Sequence, residues 1–476
     1  MKLDYDIIIV GAGSAGLSAL RQVKKHTDNF AIINDGPWGT TCARVGCMPS
    51  KALIEAANAF YRRNSFEEFG IFGMEKLSID RKRVFERVRA LRDRFVTGIV
   101  QDTESLGERA ISAKARLSGP HQVQIRDKKL RAERIILAPG SRPVIPPEWR
   151  ILGKRLLTSD TLFDQETIPD RLAVIGMGPI GIEVAQALSR IGVQVYGFSR
   201  NPLIAGITDP LINQTITDAI SHEFPLLLGN SAEVASTPEK SSITITAGDN
   251  AIEVDGIFAA LGRQPNVDDL GLDTLGIAVN DQGIPNVNPN TMQIEDLPVF
   301  LAGDANNHLP LLHEAADEGY IAGINASASS ITCFQRRTPL TITFSDPNIV
   351  TVGASFQQLQ NKSITVGQVS FENQGRARVA QLNKGMLRIY ADSKNGQLLG
   401  SELCAPAGEH LAHLLALAIS QSLTVWDLLQ IPFYHPVLEE GLRTALRDLV
   451  SKLPPGINRS DLSACPGFNT DVQDTE

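Results

Sequence analysis

Cys42 and Cys47 stand five positions apart in the run Cys42-Ala43-Arg44-Val45-Gly46-Cys47-Met48-Pro49-Ser50-Lys51. Thiols at that spacing, across a Val-Gly turn, can close a small loop whose bridge is readily reduced and reformed. Pro49 predicts the first position of a helix that Ala52, Leu53 and Ala56 continue, because proline is tolerated where the N–H has no intrahelical acceptor. Cys47 then lies at the helix N terminus, where the macrodipole favours a thiolate. On the residues alone, two unpaired buried cysteines are the alternative. With Cys333, Cys404 and Cys465 the chain holds five cysteines, an odd, sparse set that makes no structural disulfide framework.

Two strand-turn-helix units must position this segment. Tyr5-Asp6-Ile7-Ile8-Ile9-Val10 reads as a buried parallel strand, followed by Gly11-Ala12-Gly13-Ser14-Ala15-Gly16 and by Leu17, Leu20 and Val23 at helical spacing. This is G-x-G-x-x-G in the context where backbone N–H groups and a helix N terminus meet a pyrophosphate. Arg171-Leu172-Ala173-Val174-Ile175, then Gly176-Met177-Gly178-Pro179-Ile180-Gly181 and a helix through Val184 and Leu188, repeats the pattern. Asn34 or Asp35, at the end of the strand Phe30-Ala31-Ile32-Ile33, would take the first ribose. The equivalent strand of the second unit ends in Ser199-Arg200, where an NAD enzyme usually carries an acid. A cation there suits a 2′-phosphate, while Gly181 as third glycine is common with NAD, so the nucleotide is NAD or NADP.

At 476 residues and 43% hydrophobic content the chain is long enough for several packed cores. Its net charge of −8 is spread out, with no basic run interleaved with aromatics, which argues against a nucleic-acid surface. Met1-Lys2-Leu3-Asp4-Tyr5-Asp6 fits neither a secretory nor a transit segment, and no stretch approaches transmembrane length. A cytoplasmic chain with no membrane partner is expected, and in that compartment a disulfide points to catalysis. Arg134-Ile135-Ile136-Leu137-Ala138 reads as a further buried strand, closed by Pro139-Gly140 and by Pro143, Pro146 and Pro147, a cluster expected at a domain crossover near residue 150. Val299-Phe300-Leu301-Ala302 precedes Gly303-Asp304, and from Thr338 β-branched runs and a helix from His410 to Gln421 predict an α+β domain. The stretch 451–476 reads as a loosely held tail.

The two fingerprints, the Cys42 to Lys51 segment, Leu261-Gly262-Arg263-Gln264-Pro265-Asn266, Ala302-Gly303-Asp304 and His435-Pro436-Val437-Leu438-Glu439-Glu440 occur in an order that resembles the class I pyridine nucleotide-disulfide oxidoreductases, over nearly the whole chain. Within the family the pattern is most similar to the dihydrolipoamide dehydrogenases. The resemblance implies an α/β protein with two Rossmann-like domains, an FAD domain at 1–150 and 267–337 split by an NAD(P) domain at 151–266, plus an α+β dimerisation domain at 338–450. It implies a redox disulfide in which Cys47 is the thiol beside the flavin and Cys42 exchanges with substrate. Lys51 would lie near the flavin and pair with Glu183. FAD would be held by Gly11, Gly13, Ser14, Ala15, Gly16, Asn34 or Asp35, Thr41, Lys51, Ala138, Gly140, Gly303 and Asp304, the last at the ribityl chain. NAD(P) would be held by Gly176, Gly178, Ile180, Gly181, Ser199, Arg200, Gly262 and Arg263. His435 would be the acid-base residue, oriented by Glu440 and supplied by the opposite subunit of a homodimer.

The sequence departs from that pattern at Thr40-Thr41 where two glycines are usual, at Arg44 for Asn, at Val437 for Thr, and at Ala138-Pro139-Gly140 for Ala-Thr-Gly. Arg44 should favour thiolate and could recognise an anionic substrate group. Cys465 stands alone near the C terminus, which argues against a mercuric reductase. The expected activity is electron transfer between a small-molecule or lipoyl-type dithiol, free or on a lipoyl-bearing complex, and NAD(P). The competing expectations are an NADPH-dependent reductase of a low-molecular-weight disulfide and an inactive flavin-binding subunit. No metal site is assigned.

Overall fold

The run Ile7-Ile8-Ile9-Val10 sends alternate side chains into two separate cores. Ile7 and Ile9 pack with Ala15, Ala19 and Val23 of a helix, whereas Ile8 and Val10 pack with Leu117, Val123 and Leu301. A strand buried on both faces needs apolar residues at every position, which is why it is legible as an unbroken hydrophobic run. The computed structural model describes residues 3–236, 242–454 and 461–462. Cys465 and most of the 451–476 stretch lie outside the described residues. The chain forms two compact units, residues 1–200 with 229–336, and residues 201–228 with 337–476.

In the first unit, five strands run parallel in the order Ala110–Ser112, Phe30–Asn34, Tyr5–Val10, Lys128–Leu137, Val299–Leu301. The strand that closes this sheet at 299–301 follows the whole second fingerprint unit in sequence. Lys128–Leu137 is longer than the expected 134–138 because its first half pairs antiparallel with Gln122–Ile125, itself paired with Ala115–Gly119. A second parallel sheet contains Gln194–Ser199, Arg171–Ile175, Gly256–Ala259 and Leu156–Leu157. Where the chain passes between the two sheets, Ser141–Pro143 pairs antiparallel with Arg263–Pro265. The proline cluster thus lies where the chain passes from one sheet to the other.

Helix Ser14–Val23 is clasped by helix Leu312–Ser327. Ser18 Oγ donates to the Ala316 carbonyl at 2.6 Å, and a Cβ on Gly319 would stand 2.0 Å from the Ala15 carbonyl oxygen. Gly319→Ala should therefore destabilise the protein by about 1–3 kcal/mol, as overpacking does. Gly98 lies in mid-helix with nothing within 4 Å of where a Cβ would stand. Changed to Ala, it should give the opposite sign, a gain of about 0.5–1 kcal/mol. Thermal melts of the two variants beside wild type check both; equal shifts would contradict the close helix contact.

In the second unit, five antiparallel strands lie in the order Leu340–Thr343, Asn348–Gly353, Leu398–Ala405, Met386–Asp392, Ile364–Ser370. Leu387, Ile389 and Leu403 face a core shared with helices Gly408–Ser420 and Glu440–Lys452. By alternation, Arg388, Tyr390 and Glu402 face the other way. They meet residues 201–228, which the sequence reading placed with the second nucleotide domain. Asp209 caps helix Pro210–Ser221 and is buried. It accepts from Arg388 Nη1 at 2.6 Å and from the Tyr390 hydroxyl at 2.8 Å. Glu402 accepts from the Thr208 and Asp209 amides, both at 2.8 Å. Two buried carboxylates, each with several donors, fix this segment to the sheet. Among the described residues, no helix is long and apolar enough to cross a membrane.

Candidate active site

Helix Cys47–Tyr61 begins at Cys47 itself, two residues earlier than Pro49 suggested, with Gly46 at its N-cap. Proline is equally acceptable at the third position, since no N–H in the first turn has an intrahelical acceptor. Cys42 sits in a short helix, Thr41–Arg44, whose Thr40 cap accepts from the Ala43 amide. Both cysteines are half-buried free thiols.

The two thiols are chemically unequal. A hydrogen bond from Cys42 is the main cause that lowers the Cys47 pKa to about 7; burial opposes it, and Lys51 and the amide of Cys47 itself favour the thiolate further. The same hydrogen bond, with burial, pushes Cys42 above the ordinary thiol range. Cys42 is therefore the proton donor and Cys47 the thiolate. The cation acting most strongly on the pair is Lys51 and not Arg44. Arg44 makes no hydrogen bond or ion pair among the described residues, and its stem lies against Gly39.

Lys51 Nζ donates to both carboxylate oxygens of Glu183, at 2.8 and 3.0 Å, with Glu183 buried. The pairing joins the cysteine helix to helix Pro179–Arg190 of the second fingerprint. Arg190 of that helix reinforces the joint by donating to Asn58 and stacking over Tyr61. In the reduced protein the Cys47 thiolate should be present above pH 7 and lost as pH falls through about 7. Lys51→Met should move that midpoint up, and Glu183→Gln, which removes an opposing negative charge, should move it down. Ultraviolet thiolate absorbance against pH reads both signs; identical midpoints in the three proteins would refute the assignment.

The two fingerprints have the same internal logic. A Cβ on Gly11 would meet the Ala138 carbonyl oxygen at 2.1 Å, and one on Gly16 the Gly11 carbonyl oxygen at 1.9 Å, whereas Gly13 has nothing within 4 Å. Gly176, Gly181 and Gly178 repeat this, with 2.1 Å to the Ala260 carbonyl oxygen, 1.8 Å to the Gly176 carbonyl oxygen, and open space. In each unit the first and third glycines admit backbone, and the second leaves room at a helix N terminus, the space a pyrophosphate needs. Ser14 and Ala15 open the first helix, and Ile180, 40% exposed, lies in the first turn of the second.

Asn34 Oδ1 accepts the Ala12 amide at 3.1 Å and its amide group turns to the Gly36 carbonyl at 3.2 Å. Asn34 thus shapes the glycine loop, and Asp35 beside it is exposed. Thr41 is exposed at the start of its helix, and Gly140 and Gly262 have open space where a Cβ would stand. Arg200, exposed after Ser199 at the end of its strand, has no polar partner among the described residues. Arg263 is differently placed: it donates to the Ser141 hydroxyl and carbonyl at 2.8 and 2.7 Å and lies 3.7 Å from Asp160.

Asp304 lies on the turn Gly303–Asn306 and accepts from Ser141 Oγ at 2.6 Å. The turn is held by a residue the sequence reading missed. Buried Glu318 accepts from the Gly303 amide and the Asn306 side chain, both at 2.7 Å. Burial raises its pKa, against the pull of Arg336, which also pairs with Glu314. The local signal was a Glu in the helix just after Gly-Asp; its distant partner Arg336 gave none.

In the second unit, His435 Nδ1 meets Glu440 at 3.1 and 3.2 Å. Burial, the largest single influence, would raise Glu440, but the His435 hydrogen bond, the Val437 amide and the charges of His435 and Arg443 together outweigh it and hold the carboxyl below its ordinary range. Nδ1–H is thereby committed to Glu440, and Nε2 of a ring whose side chain is 81% exposed is left to face outward.

A family model described as pyridine nucleotide-disulphide oxidoreductase matches residues 5–319, and one described as its dimerisation domain matches residues 340–446. The chain belongs to the pyridine nucleotide-disulphide oxidoreductase family. Its cofactors are FAD and NAD(P)H, and the open second glycines fit both. Among relatives, dihydrolipoyl dehydrogenase 3 of Haloarcula marismortui is 26% identical, with 94% of this chain and 97% of that protein covered. A mercuric reductase of Acidithiobacillus ferrooxidans is 27% identical, with 98% and 85% covered. The crystal structure of LpdA from Mycobacterium tuberculosis is similar in fold, with a TM-score of 0.81 at 23% identity, covering 93% of this chain and 99% of that one.

Proposed function

We propose that this oxidoreductase is dihydrolipoamide dehydrogenase-like, oxidising a small or lipoyl-type dithiol with NAD(P) as acceptor. The observation that carries the reading is the unequal pair, a Cys47 thiolate near pH 7 hydrogen-bonded to a protonated Cys42. When bound, FAD and NAD(P) supply electron-pair and hydride transfer. Gly13 and the helix opening at Ser14 would hold the FAD pyrophosphate, Asp35 the ribose and Asp304 the ribityl hydroxyls. Gly178 and Ile180 would hold the second nucleotide. A substrate thiolate attacks the Cys42 sulfur of the disulfide and Cys47 leaves as thiolate, stabilised by Lys51 and the helix N terminus. The second substrate thiol gives its proton to His435 Nε2 and displaces Cys42, releasing the substrate as a disulfide.

Each active site of the proposed homodimer would combine the cysteines of one subunit with the His435–Glu440 pair of the other. Arg200 favours a second reading, an NADPH-driven reductase of a low-molecular-weight disulfide, because an unpaired exposed cation suits a 2′-phosphate. Steady-state assays with dihydrolipoamide and NAD or NADP, and with small disulfides and NADH or NADPH, separate the two. Strong NADPH preference with no dihydrolipoamide turnover would overturn the first.

A further inference from the structure

Arg263 belongs to the segment Leu261-Gly262-Arg263-Gln264-Pro265-Asn266, in which the family resemblance implies Gly262 and Arg263 as contacts of the nicotinamide nucleotide. Its guanidinium is engaged by Ser141 and Ser159. The side chain is 17% exposed; Nε donates to Ser141 Oγ at 2.8 Å, Nη2 to the Ser141 carbonyl at 2.7 Å, and Nη1 to Ser159 Oγ at 3.3 Å. Ser141 Oγ in turn donates to Asp304 Oδ2 at 2.6 Å.

The polarity of this chain is forced. A guanidinium can only donate and a carboxylate only accept, so the hydroxyl between them must take the Arg263 N–H on its lone pair and turn its proton to Asp304. A hydroxyl that accepts from a cation is a stronger donor, and its bond to a carboxylate is charge-assisted. Asp304 Oδ1 has no donor among the described residues, so the relay immobilises one carboxylate oxygen and leaves the other for a ligand hydroxyl. The scaffold is equally specific. Ser141 and Arg263 lie diagonally across the antiparallel pair in which Ser141 faces Pro265 and Arg263 faces Pro143, close enough for a long side chain to span. Asn266 pins the preceding turn by donating to the Pro139 carbonyl at 3.0 Å.

We propose that Arg263 and Ser141 are positioning residues for Asp304, and that they govern retention of FAD and not affinity for the nicotinamide nucleotide. The proposal rests on the reading that Asp304 takes the ribityl hydroxyls. It is tested with Arg263→Ala, Ser141→Ala, Ser141→Thr and Asp304→Asn in the full-length protein. The rate of FAD release is followed by recovery of flavin fluorescence on dilution, and the KM for NADH or NADPH is measured in excess FAD.

Arg263→Ala and Ser141→Ala should release FAD about tenfold to a hundredfold faster, the value of a hydrogen bond to a charged group. Ser141→Thr, which keeps the hydroxyl, should stay within about twofold of wild type, and the nucleotide KM should not move in any variant. If Arg263→Ala raises that KM and leaves FAD release unchanged, the relay is wrong while the Asp304 reading stands. Ser141→Thr releasing FAD as fast as Ser141→Ala would reduce the contact to packing and overturn the proposal. If Asp304→Asn releases FAD at the wild-type rate, the Asp304 reading fails and the relay with it.

Discussion

Cys42→Ser is expected to lower thiol-disulfide turnover by at least about a thousandfold, because the sulfur that exchanges with substrate is gone and no hydroxyl replaces it as a nucleophile at neutral pH. The same variant should keep a low Cys47 pKa. The main cause of that low value is the hydrogen bond from residue 42, and a serine hydroxyl can still donate it. Loss of turnover together with a persistent thiolate near pH 7 therefore distinguishes a missing exchange thiol from a collapsed site. Cys47→Ser should lose turnover as completely, but with no thiolate left in that pH range. The check is steady-state assay beside ultraviolet thiolate titration. A Cys42→Ser protein with more than a tenth of wild-type turnover would contradict the division of labour.

His435→Ala should reduce turnover with thiol substrate about a hundredfold to ten-thousandfold, the usual range for a lost acid-base group, while reduction of the flavin by the nicotinamide nucleotide stays normal. Glu440 fixes the ring through Nδ1 at 3.1 Å, so Glu440→Gln should lower turnover in the same direction and by less. If the pair serves the other subunit, hybrid dimers of Cys42→Ser with His435→Ala contain one wholly wild-type site. Such hybrids should recover about half the wild-type activity per dimer. Inactive hybrids would show that cysteines and histidine act within one chain.

How much of this was legible depended on how local the signal was. Both fingerprint units could be read because strands buried on two faces are continuous apolar runs and glycines mark the turns between strand and helix. The cysteine pair was legible for the same reason, all its parts lying between residues 42 and 51. Helix Arg81–Glu104 went unseen. Of its residues only Phe85, Val88 and Thr103 are fully buried, and it is held by polar contacts such as Arg81 to Asp170 at 2.6 Å and Arg89 to the Gln165 carbonyl at 2.8 Å. The place of residues 201–228 was hidden too, since Asp209 is fixed by Arg388 and Tyr390, 179 and 181 positions away. The contact between Arg263 and Ser141, 122 positions apart, was likewise invisible, since the sequence shows a cation within a family motif but not what it touches. Lys51–Glu183 was foreseen only through family resemblance; nothing in spacing alone joins residues 132 positions apart.

The central claim is that electron pairs pass through Cys42 and Cys47, and anaerobic two-electron reduction with thiol mapping tests it most directly. Oxidised protein should carry these two cysteines as a disulfide that resists alkylation. Addition of one equivalent of reductant should release two thiols, both in the peptide spanning residues 42–47, one of them reacting as a thiolate down to about pH 7. Full bleaching of the flavin with no new thiol in that peptide would contradict the account.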